Sequence, residues 1–342
     1  MEVVLCSTFI SGFENIVEDL LKRKLSNINI QKIYDGLIIY KTEKLEQAKA
    51  LPFFNNTYFV ISQAKTNNTI DINSSIQNLL KQTNLNHKVL NYLKPKNKKD
   101  FKIIAFDKNQ PTAINYKLVK NLEINLCQAL NLKVGQRKHD IDIAFVRRSE
   151  NIILLLMKLT YNRATEKSLS KGELRPELAY FMSYLADIQP SDLILDPFCG
   201  HGAIPKEIIK HFNYNIVFAS DNNEELIANL KKEYKNNNKN FYIKTRDALH
   251  LDYVKDKGIN KVITDPPWNF YGTIETNFID FYINFLKEMD RVLADDGTAL
   301  ILMGNIEDFE NALKNSNFKI LNRFHILVNG KKANIYKLKK KF

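Results

Sequence analysis

The chain of 342 residues carries 50 lysines and arginines against 38 aspartates and glutamates, a formal charge of +12, and 44% of it is hydrophobic. That length implies two or three domains, that apolar fraction excludes global disorder, and no apolar run approaches the ~20 residues of a membrane span. Cys6, Cys127 and Cys199 lie too far apart in sequence for a disulfide framework or a Cys-x-x-Cys metal knuckle, which together with an N-terminus lacking a basic leader points to a cytoplasmic setting.

The charge is uneven: residues 81–148 carry a net +10 and the last twelve residues +6. A concentrated basic segment is the footprint of a polyanion binder, with a solvated lysine-rich face as the alternative. Residues 1–65 read as strand, helix, strand. VVLCSTF is extended, Phe13, Ile16, Val17, Leu20 and Leu21 make a helical stripe, and IQKIYDGLIIYK turns at Asp35-Gly36 as a hairpin. Residues 66–165 read as a small α+β module. KPKNKK (94–99) is a loop by composition, FKIIAF (101–106) a strand, 115–131 a helix, and IDIAFV and NIILLLMKL two more strands. Tyr92, Phe101, Tyr116 and Phe145 interleave with the lysines, as stacking platforms or as core. Residues 166–190 form a linker helix.

From 191 to 342 strands and helices alternate. DLILD (192–196) leads into a helix carrying Ala203, Ile204, Ile208 and Ile209, then come NIVFAS (215–220), a helix over 223–236, NFYIKTRD and KVITD (261–265). A helix over 277–292 sets Phe278, Phe281, Tyr282, Phe285, Leu286 and Met289 on one face, and TALILM follows. This alternation predicts a parallel sheet covered by helices on both faces. Such sheets take ligands beyond the carboxyl ends of their strands, near the topological switch point.

The strongest local signal lies there. A strand ends in Asp196, a Gly200-x-Gly202 turn follows, and a helix begins. Glycine permits the tight turn and a close approach of backbone to ligand. The turn lacks the third glycine of a dinucleotide fingerprint and the Lys-Ser/Thr of a phosphate loop. Asp221 closes the second strand, 21 residues after Gly200, where a carboxylate can accept from ribose hydroxyls. Asp247 closes the third strand and Asp265 the fourth. Each alone reads equally as a cap or turn residue. Four in register suit an adenosine-bearing cation, S-adenosylmethionine.

Asp265-Pro266-Pro267-Trp268 follows KVIT. Two prolines fix a rigid turn that aims a carboxylate and a backbone carbonyl at one point. Both are acceptors, and an exocyclic amino group is a double donor. A base's amine is a poor nucleophile because its lone pair is delocalised. Two acceptors holding its hydrogens favour a pyramidal nitrogen with an available lone pair, positioned for in-line displacement, and stabilise the charge that develops on it. Trp268, the only tryptophan, would stack on a base flipped out of its helix. A structural Pro-Pro turn with a buried Trp is the plain alternative.

DPFCGHGAIP (196–205), Asp221, Asp247 and DPPW (265–268), in this order, resemble class I, Rossmann-like S-adenosylmethionine-dependent methyltransferases that modify exocyclic amines. Among these the chain is most similar to the THUMP-containing RNA (guanine-N2) methyltransferases of tRNA. STFISGFENIVEDLL resembles their N-terminal strand and helix, and GELRPELAYFMSYLA their helix leading into the cofactor site. The resemblance implies an α/β fold: a Rossmann-like domain with a mainly parallel seven-stranded sheet over 191–342, preceded by a ferredoxin-like part (1–65) and a THUMP-like RNA-binding module (66–165). It places Gly200 and Gly202 beside the methionine moiety, Asp221 on the ribose, Asp247 near the adenine, and Asp265, Pro266, Pro267 and Trp268 on the target amine. Asp196, Phe198, His201, Asn222 and Ala248 complete the expected cofactor set, with Asp265 at its edge. Two departures stand out: Trp268-Asn269 replaces the family's usual Tyr-Gly, with Gly272 following later, and His201 sits where a small residue is common.

Lys94, Lys96, Lys98, Lys99, Arg137, Lys138, Arg147 and Arg148 are the candidate phosphate contacts, and the C-terminal lysines either touch RNA or are solvated. His87, His139, His211, His250 and His325 show no metal-ligand spacing, so no metal is expected, and Cys199 reads as packing. The expected activity is methylation of a guanosine N2 in tRNA by a monomer. The rivals are an adenine-N6 or cytosine-N4 methyltransferase on RNA or DNA, and a catalytically silent RNA-binding protein.

Overall fold

The computed structural model describes residues 1–342 except 137–138, 162, 164–168, 171, 235–238, 269–277, 329 and 342. The chain divides into two compact units, residues 1–9 with 14–163, and residues 10–13 with 164–342.

In chain order the first unit holds β1 (Val3–Thr8), α1 (Glu14–Lys24), β2 (Asn29–Tyr34), β3 (Leu37–Thr42), α2 (Leu45–Ala50), β4 (Asn56–Lys65) and α3 (Ile72–Gln82). It continues with α4 (His87–Leu93), β5 (Asp100–Asp107), β6 (Gln110–Thr112), α5 (Tyr116–Leu130), β7 (Lys133–Val134), β8 (Ile141–Arg148) and β9 (Ile152–Lys158). Helix α1 buries Val17, Leu20 and Leu21 and places Glu14 at its start and Lys22, Arg23 and Lys24 at its end, complementing the helix dipole. The β2–β3 hairpin turns at Asp35-Gly36, where Gly36 takes φ +68°. Asp71 caps α3 by accepting from the Asn73 and Ser74 amides. Helices α2 to α4 and strand β4 fall where the sequence pattern assigns no element; α3 carries Asn73, Ser74, Ser75 and Asn78, all weak helix formers, and both α3 and α4 start from side-chain caps.

Among the described residues these strands form one sheet, ordered β2-β3-β1-β4-β9-β8-β5-β6, with β7 on β5. The segments 1–65 and 66–165 therefore share a sheet, joined where β4 runs antiparallel to β9 from Tyr58↔Lys158 to Lys65↔Ile152. A buried cluster of Cys6, Leu37, Ile39, Val60, Leu154 and Leu156 draws on both segments.

The second unit runs α6 (Pro176–Leu185), β10 (Leu193–Asp196), α7 (Ala203–His211), β11 (Ile216–Asp221), α8 (Glu224–Glu233), β12 (Phe241–Thr245) and β13 (Ile259–Thr264). It ends with α9 (Phe278–Val292), β14 (Leu293–Met303), α10 (Ile306–Lys314), β15 (Phe318–Val328) and β16 (Lys331–Lys340). Phe13 belongs to this unit rather than to the α1 stripe, since α1 starts one residue later and the Phe13 ring stacks on Phe181 of α6 at 4.3 Å. Among the described residues the sheet has seven strands, β12-β11-β10-β13-β14-β16-β15. Its first five strands are parallel, and β16 runs antiparallel to β14 and β15. Successive strands step one way from β10 to β12 and the other way from β13 to β14, so right-handed crossovers put α7 and α8 on one face and α9 on the other. A core lies under α9 and α10, where Phe285, Leu286, Met289, Phe309 and Leu313 meet Val262, Ala299, Ile301 and Tyr336.

The C-terminal lysines are part of this fold. All but Lys341 lie in β16, where Lys337 Nζ donates to the Leu185 carbonyl at 2.8 Å and buried Lys340 pairs with Asp290. No described helix is long and apolar enough to cross a membrane.

Candidate active site

The switch point of the second sheet lies between β10 and β13. Because β12, β11, β10 and β13 are parallel neighbours, their carboxyl ends share one rim. Asp196 and Asp221 are the last residues of β10 and β11, Asp265 follows β13 directly, and Asp247 lies two residues beyond β12. The four carboxylates thus stand along consecutive strands.

After Asp196 the chain turns through Gly200 (φ +49°) and Gly202 (φ +81°) into α7. The two glycines have different reasons. Gly202 takes a left-handed φ that strains any side chain, and a Cβ there would lie 2.7 Å from Leu230 Cδ1, so the Leu230 side chain of α8 would have to shift. A Cβ on Gly200 would meet no atom within 4 Å, which leaves open space over the turn. The Gly200 amide donates to Asp221 Oδ2 at 2.9 Å and the Asn223 amide to Asp221 Oδ1 at 2.9 Å. Each carboxylate oxygen has two lone pairs, so Asp221 keeps capacity for further donors while it braces the turn. Asp247 is exposed and accepts from the Leu249 amide at 2.9 Å. His201 is half-buried, Asn222 exposed and Ala248 buried. Phe198 packs on α9, its ring 5.3 Å from Phe285 and 6.0 Å from Phe281. Cys199 is buried, and burial raises its thiol well above the ordinary range, which suits packing and not nucleophilic work.

Asp196 is only 2% exposed, and its Oδ1 accepts from Thr264 Oγ1 at 2.7 Å and from the Phe198 amide at 3.3 Å. Burial pushes its carboxyl up to about 8; those hydrogen bonds oppose the rise, and Asp221 and Asp265 add to it. Asp265 is half-buried, and desolvation by its surroundings pushes its carboxyl up to about 7, against the hydrogen bond from Trp268. Trp268 Nε1 donates to Asp265 Oδ1 at 2.7 Å, and Tyr282 OH of α9 donates to the Pro267 carbonyl at 2.7 Å. Pro266 is buried and Pro267 exposed. The sequence pattern does not single out Thr264 or Tyr282 as site residues. The polar tip of Tyr282, in an otherwise apolar stripe, was the one signal of a buried hydrogen bond.

Several candidate phosphate contacts already hold partners within the first unit. Arg147 is 5% exposed and holds Asp107 through both Nε and Nη2, at 2.8 and 2.6 Å. Arg148 is 8% exposed and donates to Glu150 and the Asp35 carbonyl. Both guanidinium groups are committed inside the first unit. Lys94 Nζ donates to the Leu130 carbonyl, and Lys98 pairs with Asp140 and lies over the Tyr161 ring. Lys96 and Lys99 remain exposed. Arg137, Lys138, Asn269 and Gly272 lie outside the described residues. Tyr92 and Tyr116 are strongly exposed, whereas Phe101 and Phe145 are core. Among the described residues no group of three His, Cys, Asp or Glu side chains is arranged to hold a metal ion.

Comparison with known proteins follows the same geometry. The RMKL-like, methyltransferase domain family matches residues 163–334, half of the chain. The tRNA (guanine(6)-N(2))-methyltransferase THUMP3 of Mus musculus is 25% identical over 228 residues, covering 61% of this chain and 45% of the relative. The tRNA (guanine(6)-N2)-methyltransferase of Methanocaldococcus jannaschii is 21% identical over 206 residues, covering 49% and 54%. The chain thus spans about half the length of the curated relatives it matches. The crystal structure of TrmN from Thermus thermophilus superposes with a TM-score of 0.79 over the whole of both chains at 18% identity, a likeness of fold.

Proposed function

The chain belongs to the RMKL-like methyltransferase family, and from that premise we propose that it transfers a methyl group from S-adenosylmethionine to the exocyclic N2 amine of a guanosine in tRNA. The observation that carries the reading is the Asp265-Pro266-Pro267-Trp268 corner at the end of β13, directly beside the glycine turn at the end of β10. The names of the two curated relatives support guanine N2 as the amine.

The residues present fit the donor. Two desolvated carboxyls, Asp196 and Asp265, stand without a compensating cation among the causes that shift them, a setting that favours a positively charged ligand. The open space over Gly200 admits one closely. In this reading Asp196, Phe198, Gly200, His201, Gly202, Asp221, Asn222, Asp247 and Ala248 form the holding set, with Asp221 accepting from ribose hydroxyls. When bound, the donor supplies an electrophilic methyl on a sulfonium centre.

The chain's own groups do the rest. Asp265 accepts one amine hydrogen, and a backbone carbonyl of the diproline corner accepts the other. Held this way, the nitrogen presents its lone pair, and the ionised carboxylate stabilises the positive charge that grows on it. A carboxyl raised to about 7 is matched to take the surplus proton from that nitrogen near neutral pH. Residues 66–165 act as a THUMP-like RNA-binding module following a ferredoxin-like segment, with exposed Lys96 and Lys99 on the phosphates, and shape and backbone, not sequence, guide tRNA binding.

The test is to incubate the protein with methyl-labelled donor and unmodified tRNA and to identify the labelled nucleoside by mass spectrometry. N2-methylguanosine is expected. N6-methyladenosine or N4-methylcytidine would move the assignment to another exocyclic amine, and absence of donor binding in calorimetry would indicate a silent RNA-binding protein.

A further inference from the structure

We propose that Trp268 is a positioning residue: its indole N–H fixes Asp265 Oδ1 so that Oδ2 is the oxygen offered to the target amine. The inference rests on the function proposed above and departs from the reading of Trp268 as a stacking platform.

Two prolines separate the partners, and each fixes its own φ near −65°, so the spacing from Asp265 to Trp268 is set by the backbone. The indole is a donor only, and its bond of 2.7 Å to Asp265 Oδ1 is at the short end of the range for a charge-assisted N–H···O contact. The ring also packs against the core beneath α9. On the other side of the corner, Tyr282 OH binds the Pro267 carbonyl at 2.7 Å. Tyr282 is itself fully buried, with its ring edge-on to Phe309 at 5.6 Å. The corner is thus held at its carboxylate by its own Trp268 and at its second proline by Tyr282 of α9.

The electrostatics agree. The titratable groups that act on this neighbourhood are Asp196 of β10, Asp221 of β11, Tyr282 of α9 and Asp308 at the start of α10. All four are acidic groups. Burial drives Asp265 toward its neutral form, and the Trp268 bond is the contact that opposes it. Removing that N–H would both free the carboxylate to rotate and favour its protonated form, which cannot accept from the amine through the protonated oxygen.

Because Trp268 is the only tryptophan, the N–H can be removed without changing shape. Expression in a tryptophan-requiring strain supplied with benzothienylalanine replaces the indole NH by sulfur at this site alone. The protein so labelled should melt as the parent does. Its kcat should fall roughly 10- to 100-fold, the effect of losing a hydrogen bond to a charged group, with KM for tRNA unchanged. The acid limb of its pH profile should move up by about one unit. A rise in KM with an unmoved limb would show that the ring stacks on the base, and an unchanged enzyme would show that the N–H is idle; either overturns the proposal. A second readout needs no activity. Trp268 fluorescence in the parent should titrate with a midpoint near 7, following Asp265, and the titration should vanish in Asp265→Asn. Fluorescence flat from pH 5 to 9, or a titration that survives Asp265→Asn, would refute the contact even if the RNA target were misassigned.

Discussion

Replacing Asp196 by Asn should make the donor-free protein more stable, and only at high pH. Asp196 is 2% exposed and its carboxyl is raised from 3.8 to about 8, mainly by burial. A carboxyl whose folded value lies above its unfolded one binds its proton more tightly in the native state. Its stabilising contribution is therefore complete below about 4 and is lost as pH rises toward 8. A shift of about four units at about 1.4 kcal/mol each gives an upper bound of about 6 kcal/mol lost by pH 9. Asn can still accept from Thr264 Oγ1 and the Phe198 amide through its oxygen, but its two amide hydrogens need partners, which halves the expected gain to about 3 kcal/mol. For a unit of this size that is a Tm increase of roughly 6–12 °C at pH 9. Thermal melts of parent and Asp196→Asn at pH 5 and pH 9 decide the matter. A gain that is the same at both pH values, or no gain at pH 9, would refute the claim that this carboxylate is kept ionised at a cost to stability.

The same carboxyls predict that donor affinity in calorimetry rises between pH 6 and 9, as Asp196 and Asp265 ionise beside a cationic ligand; an affinity independent of pH would contradict it. Arg147→Ala should destabilise the first unit by about 1–3 kcal/mol, because it removes a buried guanidinium and its two hydrogen bonds to a partly exposed Asp107, while the salt dependence of tRNA binding stays as in the parent. Denaturant melts unchanged by the substitution would be the contrary result. Lys96→Glu with Lys99→Glu should weaken tRNA binding and reduce the slope of log affinity against log salt by about 2; an unaltered slope in filter binding would remove these lysines from the interface.

The catalytic unit was legible in the sequence because its signals are local. The apolar run ending in Asp196, the Gly200-x-Gly202 turn and the one-faced stripe of α9 each specify an element from adjacent residues, and strand–helix alternation then dictates a parallel sheet. What escaped depends on partners distant in the chain. The β4–β9 pairing joins residues about a hundred positions apart, which no periodicity announces. Arg147 looked like a phosphate contact because the sequence shows its charge but not Asp107, 40 positions earlier, waiting for it. The C-terminal lysines resembled a solvated tail, yet Ala333, Ile335 and Leu338 among them are buried in β16. At the site, the types of residue were readable and their contacts were not. Trp268 was identified for its ring, whereas the structure shows its N–H on Asp265.

The most direct test is a crystal structure of the protein with a non-reactive donor analogue and a guanosine-bearing RNA. The account predicts the guanine N2 about 3 Å from Asp265 Oδ2, with the donor's sulfur-like centre on the opposite side of that nitrogen and its ribose on Asp221. A complex in which the donor occupies the rim while the base amine lies against other groups, or in which the diproline corner faces away from the donor, would contradict it.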